Sequence, residues 1–180
     1  MPAHGARLFF AVEVPREVRL ELAAWARRAA QGTRLLEPAS LHLTLLFLGS
    51  RPFEEIDALA AALARAAGGS GNAPVELSLG VPVWLPPRRP RALGVEVHDE
   101  SGGLGELHER LLRETGEAGE RHFRPHITVA RAAAGARVPR DFGDPTPQLR
   151  FSAQAAVLHR SFLEPSGARY EALASVPLSG

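Results

Sequence analysis

The sequence predicts an α+β protein made of two similar lobes packed as one unit. Three observations carry that prediction. Strand-like and helix-like segments recur in the same order in both halves of the chain. The pattern H-x-T, flanked by apolar residues, occurs once in each half, at His42–Thr44 and at His126–Thr128. No segment is long or polar enough to act as a linker between independent domains. A chain of 180 residues with 45% hydrophobic content is the size of one ordinary globular domain, so residues 1–180 are expected to form a single domain.

"RLFFAVEV" (7–14) is rich in aromatic and β-branched residues and reads as a strand. "PREVRLELAAWARRAAQG" follows as a helix, with Pro15 at its start and Gly32 just past its end. The run 41–48, "LHLTLLFL", reads as a strand and leads through Ser50 and Pro52 into a helix over 53–67. The acids of that helix lie at its N-terminal end, where the helix dipole favours them. "GGSGN" (68–72) breaks the chain. "VELSLGVPVWLP" (75–86) and "RALGVEV" (91–97) alternate as strands do, and "LGELHERLLRET" (104–115) reads as a helix ended by Gly116. "FRPHITVAR" (123–131) is the next strand. A Pro/Gly-rich loop (135–147) and two strand-like runs, near 149–159 and 169–176, close the chain.

Composition removes several chemistries. With no cysteine there is no disulfide, no thiolate nucleophile and no cysteine zinc site. All 21 basic residues are arginine, so a P-loop lysine, a Schiff-base lysine and a lysine that carries AMP are equally excluded. No apolar run approaches the ~20 residues a bilayer requires and no signal-peptide pattern opens the chain, so a soluble cytoplasmic protein is expected. Five arginines (121, 124, 131, 137, 140) crowd one stretch that has no acid beside them until Asp141, and Glu106, Glu109, Glu114, Glu117 and Glu120 precede it. That distribution fits either a solvated basic loop beside an acidic helix or a local phosphate-binding surface.

In a strand, side chains at i and i+2 share a face, so each motif histidine stands beside its threonine while Leu43 and Leu45, or Ile127 and Val129, point into the core. Chance would supply roughly 0.2 H-x-T patterns in a chain of this composition. One such motif is an ordinary polar strand face, whereas two, one per half, suggest a built site. Without metal, lysine or cysteine, two histidines and two hydroxyls suit the hydrolysis of a phosphodiester. A base takes a proton from water, an acid gives one to the departing oxygen, and hydroxyl donors bind the non-bridging oxygens. Neither motif histidine has a second histidine or carboxylate at ligand spacing, so no metal and no cofactor is expected.

The residues "HLTLLFLG" and "FRPHITVAR", with the opening "LFFAVEVP", carry a resemblance across nearly the whole chain to the two-histidine (2H) phosphoesterase superfamily. Within it the chain is similar to the bacterial and archaeal RNA 2′,3′-cyclic phosphodiesterases, also called 2′-5′ RNA ligases. The resemblance implies a bilobal duplicated fold with two antiparallel sheets facing a central cleft and helices on the outside. It implies that His42 is the proton donor, that His126 is the proton acceptor, and that Thr44 and Thr128 bind phosphate oxygens. The implied reaction opens a terminal 2′,3′-cyclic phosphate to a 2′-phosphomonoester, and its ligase direction makes a 2′-5′ link. The implied partners are RNA ends bearing a cyclic phosphate, tRNA fragments among them, with no membrane and no obligate protein partner.

The family usually shows an arginine where this chain has Arg131. Strand parity, however, puts Arg131 opposite His126 unless the strand bends, while Arg124 shares the histidine's parity. Both are candidate phosphate contacts, with plain surface charge as the competing reading. His4, His98, His108, His122 and His159 have no threonine two residues on and are read as structural or surface residues; Trp84 and Phe47 are read as core residues rather than base-stacking platforms. Two other functions fit the same residues: another 2H enzyme, such as a 2′,5′-oligonucleotide phosphodiesterase or a 3′-end exonuclease, and a non-catalytic module that binds RNA ends.

Overall fold

A computed structural model describes residues 5–68, 74–119, 122–165 and 167–178. His4, Arg121 and most of the glycine-rich break at 68–72 lie outside the described residues. The first strand, β1 (Gly5–Glu13), turns Ala6, Leu8, Phe10 and Val12 into the core and leaves Arg7, Phe9, Ala11 and Glu13 on the opposite face. Helix α1 (Arg16–Ala29) buries a stripe of Val18, Leu22, Trp25, Ala26 and Ala29, the spacing of one helical face. Trp25 Nε1 donates to the Asp144 carbonyl at 3.1 Å, which ties the long loop to this helix. A two-residue strand, β2 (Arg34–Leu35), and a 3₁₀ turn at Pro38–Ser40 lead into β3 (His42–Pro52), which runs further than its apolar stretch suggests.

A second 3₁₀ turn opens α2 (Ile56–Gly68), and β4 (Glu76–Leu85) and β5 (Ala92–Asp99) follow. Pro82 is tolerated inside β4 because the pairing register shifts between Leu79 and Pro82. Helix α3 (Gly103–Thr115) starts where the Asp99 carboxylate accepts from the Leu104 N–H at 2.8 Å, and ends at Gly116 in the left-handed conformation, φ 70°. The remaining strands are β6 (His126–Arg131), β7 (Arg150–Ser152), β8 (Ala155–Glu164) and β9 (Gly167–Pro177). The single strand-like run near 149–159 is therefore two strands.

Strand pairing follows one path, β7-β4-β5-β6-β3-β1-β8-β9, with β2 pairing β6 from the side. The sequence reading expects two sheets, and the structure joins the two halves of this path at a narrow seam. There β3 and β6 share the single pair Leu43↔Ile127. About that seam the order is mirrored: β1-α1-β3 on one side corresponds to β5-α3-β6 on the other, each an antiparallel pair closed by a helix. The helices cross over, α1 packing against β6 and α3 against β3, while α2 lies on α3, β8 and β9. Between helices and sheet sit Leu8, Phe10, Leu22, Trp25, Leu43, Leu63, Leu93, Leu104, Leu107, Leu111, Ile127 and Leu158, all buried. The other face of the sheet carries His42 and His126.

Candidate active site

His42 and His126 open the two strands that meet at the seam. In each, Nδ1–H donates to the carbonyl of the residue two positions upstream: Ser40 for His42 and Arg124 for His126, both at 2.8 Å. A carbonyl only accepts, so each neutral ring carries its proton on Nδ1 and presents Nε2 as the free, lone-pair nitrogen. Thr44 and Thr128 stand beside them, and neither hydroxyl is committed to a hydrogen bond with another described residue.

The neighbouring strands repeat as faithfully. Across from His42 and Thr44 lie Glu13 and Ala11; across from His126 and Thr128 lie Glu96 and Gly94. These come from "AVEV" (11–14) and "GVEV" (94–97), a second duplicated signature in the sequence that marks the partner strands. The small residue has a steric role at position 94, where an added Cβ would come within 3.0 Å of His126 Cδ2.

Each motif strand then bulges. Pairing runs Phe10↔Leu46 and then Ala11↔Thr44, which leaves Leu45 extra; it runs Leu93↔Ala130 and then Gly94↔Thr128, which leaves Val129 extra. The displaced carbonyls are satisfied from elsewhere: His108 Nδ1–H donates to Leu45 O, and the Leu36 N–H to Val129 O, each at 2.9 Å. His108 is buried and stacked on Phe123, a structural histidine as the sequence suggests. The bulge defeats simple parity. It turns Arg131 back to the histidine face, where its charge acts on both His42 and Tyr170. It likewise turns Phe47 out of the core, 65% exposed, so the reading of Phe47 as a core residue is corrected. Trp84 is core as expected, its Nε1 donating to the Pro139 carbonyl at 2.8 Å. Arg124 ion-pairs with Glu96, Nε to Oε1 at 3.1 Å.

Two residues that no motif marks stand at the site. His159 and Tyr170, from β8 and β9, join His42 around the Phe9 ring. Tyr170 meets His42 edge-on at 4.9 Å, Phe9 lies 4.9 Å from His42, and His159 stacks on Phe9 at 5.2 Å. His159 is found only through its cross-strand pairing with Phe9, which sequence pattern does not report. A cavity of about 280 Å³ beside His42 is lined by Ser40, Gln154, His159, Tyr170, Arg16 and Arg19.

Burial is the main cause that lowers the His42 pKa from 6.5 to about 4. The Ser40 bond resists, and the charges of His159, Arg131 and His126 add to the lowering. Burial also lowers the pKa of His159, against the pull of Glu13 and of the Glu171 backbone. It raises that of Tyr170 in spite of Arg131 and Arg34, so the phenol keeps its proton. The arrangement thus offers two imidazole nitrogens, two free hydroxyls and a guanidinium on one face.

A fold with two histidine–threonine strands meeting at a pseudo-twofold seam defines a class, and comparison with known proteins places the chain within it. The family model described as the 2′-5′ RNA ligase superfamily matches residues 14–161. A Thermus thermophilus protein named RNA 2′,3′-cyclic phosphodiesterase is 37% identical over 97% of this chain and 91% of its own. An Escherichia coli protein of the same name is 31% identical over 72% and 74%. Among solved structures, one of a Thermus thermophilus protein superposes with a TM-score of 0.79 at 35% identity, covering 97% of this chain and 98% of that one. E. coli LigT complexed with 3′-AMP gives 0.79 at 27% identity, covering 98% and 99%. The chain belongs to the 2′-5′ RNA ligase superfamily.

Proposed function

We propose that the protein is an RNA 2′,3′-cyclic phosphodiesterase in which His42 and His126 act as acid and base. The observation that carries this reading is the duplicated geometry: two imidazoles fixed by Nδ1 to a backbone carbonyl, each beside an uncommitted threonine hydroxyl on one face. The names of the Thermus and E. coli relatives support the substrate class.

In this mechanism water attacks phosphorus in line with the departing 3′ oxygen. His126 Nε2 takes the water proton, and protonated His42 gives a proton to O3′ as the P–O3′ bond breaks, leaving a 2′-phosphomonoester. Thr44 and Thr128 donate to the non-bridging oxygens, whose charge rises in the transition state, and Arg131 faces the same charge. With an RNA 5′-hydroxyl in place of water, the same ring opening forms a 2′-5′ phosphodiester. Gly94 leaves room for the His126 ring to lie across β5. The same reading has two pseudo-symmetric lobes flanking a cleft within one domain. It has the protein working in the cytoplasm on RNA ends, tRNA fragments among them, without an obligate protein partner.

Among the described residues no group of three or more His, Cys, Asp or Glu is arranged to hold a metal ion. The test is hydrolysis of a nucleoside 2′,3′-cyclic phosphate in excess EDTA, with the product isomer identified. A 2′-phosphate formed at an undiminished rate is expected. A 3′-phosphate product, or loss on chelation restored by a divalent ion, overturns the mechanism.

The His42 pKa of about 4 favours a second assignment, in which His42 accepts and His126 donates. A phosphodiester whose leaving group departs without protonation, such as a nitrophenyl ester, separates the two. The alanine variant of the donor keeps most of its activity on that ester, and the variant of the acceptor does not.

A further inference from the structure

The cavity beside His42 runs away from the seam, from the imidazole past His159 on β8 to the first turn of α1. Its charged side chains are Arg16, Arg19 and Glu13, two guanidiniums to one carboxylate. Arg16 is exposed and makes no ion pair or side-chain hydrogen bond with another described residue. Arg19 is committed only through Nη1, which donates to the Ala39 carbonyl at 3.2 Å, and its Nε is buried without a partner. With the imidazoles uncharged, the lining carries a net of one positive charge and several unused donors.

The duplication shows that this space is open by construction. In the second half, the residue two positions before the histidine is Arg124, and it reaches across to Glu96 and closes an ion pair beside His126. In the first half, that position is Ser40, whose hydroxyl is turned to the Glu37 carbonyl at 2.8 Å. Glu13, the counterpart of Glu96, forms no ion pair with a described arginine. One half therefore neutralises its own charge, whereas the other leaves an opening with two arginines behind it, which suits an anion brought from outside. An RNA end supplies one. When O3′ departs toward His42, the terminal ribose lies on the His42 side. Its 5′ carbon leads to the next phosphodiester, a single negative charge that matches the lining.

We propose that the cavity beside His42 binds the phosphodiester on the 5′ side of the terminal nucleoside, with Arg16 and Arg19 as its contacts. The enzyme then recognises the end of a chain in preference to a free cyclic nucleotide. This rests on the phosphodiesterase reading with His42 on the O3′ side.

Two substrates isolate the contact: adenosine 2′,3′-cyclic phosphate with a free 5′-hydroxyl, and the same compound with a 5′ methyl phosphodiester. The wild type should open the second with kcat/KM about tenfold higher, mainly through KM, and this advantage should shrink as salt is raised. Arg16→Gln, at an exposed position safe for the fold, should cut the advantage severalfold, and Arg16→Lys should restore most of it. Adding Arg19→Gln should abolish what remains. A wild type with no advantage for the diester overturns the proposal, as does an Arg16→Gln enzyme that keeps the advantage or loses both substrates in parallel. If the wild type opens neither compound, the phosphodiesterase reading falls, and calorimetric titration decides the subsite alone. Adenosine 2′,5′-bisphosphate binding the wild type about tenfold more tightly than adenosine 2′-phosphate, with the difference lost in Arg16→Gln, supports the subsite. Equal binding by the wild type, or a difference that survives in Arg16→Gln, overturns it.

Discussion

At His42 the imidazole proposed to take part in acid–base catalysis is built into surroundings that repel protons. Burial and three nearby cationic or titrating groups hold its pKa at about 4, so at neutral pH the ligand-free ring is uncharged. The negative charge of a phosphate bound against Nε2 favours the protonated ring and raises the pKa, so substrate should arrive together with a proton. Calorimetric titration of the 2′-phosphate product near pH 6 in buffers of different ionisation enthalpy should therefore show proton uptake, and a His42→Ala variant should lose it. The same shift affects stability with a definite sign. Because the folded pKa lies below the unfolded value of 6.5, the unfolded chain binds more protons as pH falls from about 6.5 to about 4. The His42 contribution is thus fully present above 6.5 and is lost across that window. The wild-type Tm should fall there more steeply than that of His42→Ala. In turnover, alanine at His42 or at His126 should each cost on the order of 10² to 10⁴, with the double variant far from multiplicative and Thr44→Val or Thr128→Val milder.

The bulged strand is the element that makes the site, and it is where the sequence is least legible. The histidine–threonine pairs are plain because a period of two is local. Strict alternation would put Arg131 on the wrong face and Phe47 in the core, because one inserted residue reverses every side chain after it, and nothing in "TVAR" or "TLLF" announces the insertion. What holds the insertion is non-local: a histidine on α3 for one bulge and a backbone N–H after β2 for the other. His108→Leu should therefore cost about 1–3 kcal/mol by leaving the Leu45 carbonyl without its donor, measurable by denaturant unfolding. On the partner strand, Gly94→Ala should move the other way. The methyl group presses on the His126 ring at 3.0 Å, so kcat should fall by about tenfold or more while Tm stays close to wild type, since alanine restricts the unfolded chain more than glycine does.

On the scale of the whole molecule, the sequence shows the duplication and not the contact between its copies. Repeated motifs and repeated element order imply two lobes, but that β3 and β6 lie side by side, joined through Leu43 and Ile127, is set by pairing across 84 residues of chain. Both side chains of that pair are fully buried, and Ile127→Ala should cost about 2–5 kcal/mol and lower kcat together with stability. One paired position is a thin hinge between the two histidine strands. The helices beneath compensate, because α1, grown from the half that carries His42, lies under β6, and α3, grown from the half that carries His126, lies under β3. Each half buttresses the other's histidine strand. The aperture between the two imidazoles is therefore gauged from below, and a repacked residue on either helix, remote from both rings, would reset the spacing between them.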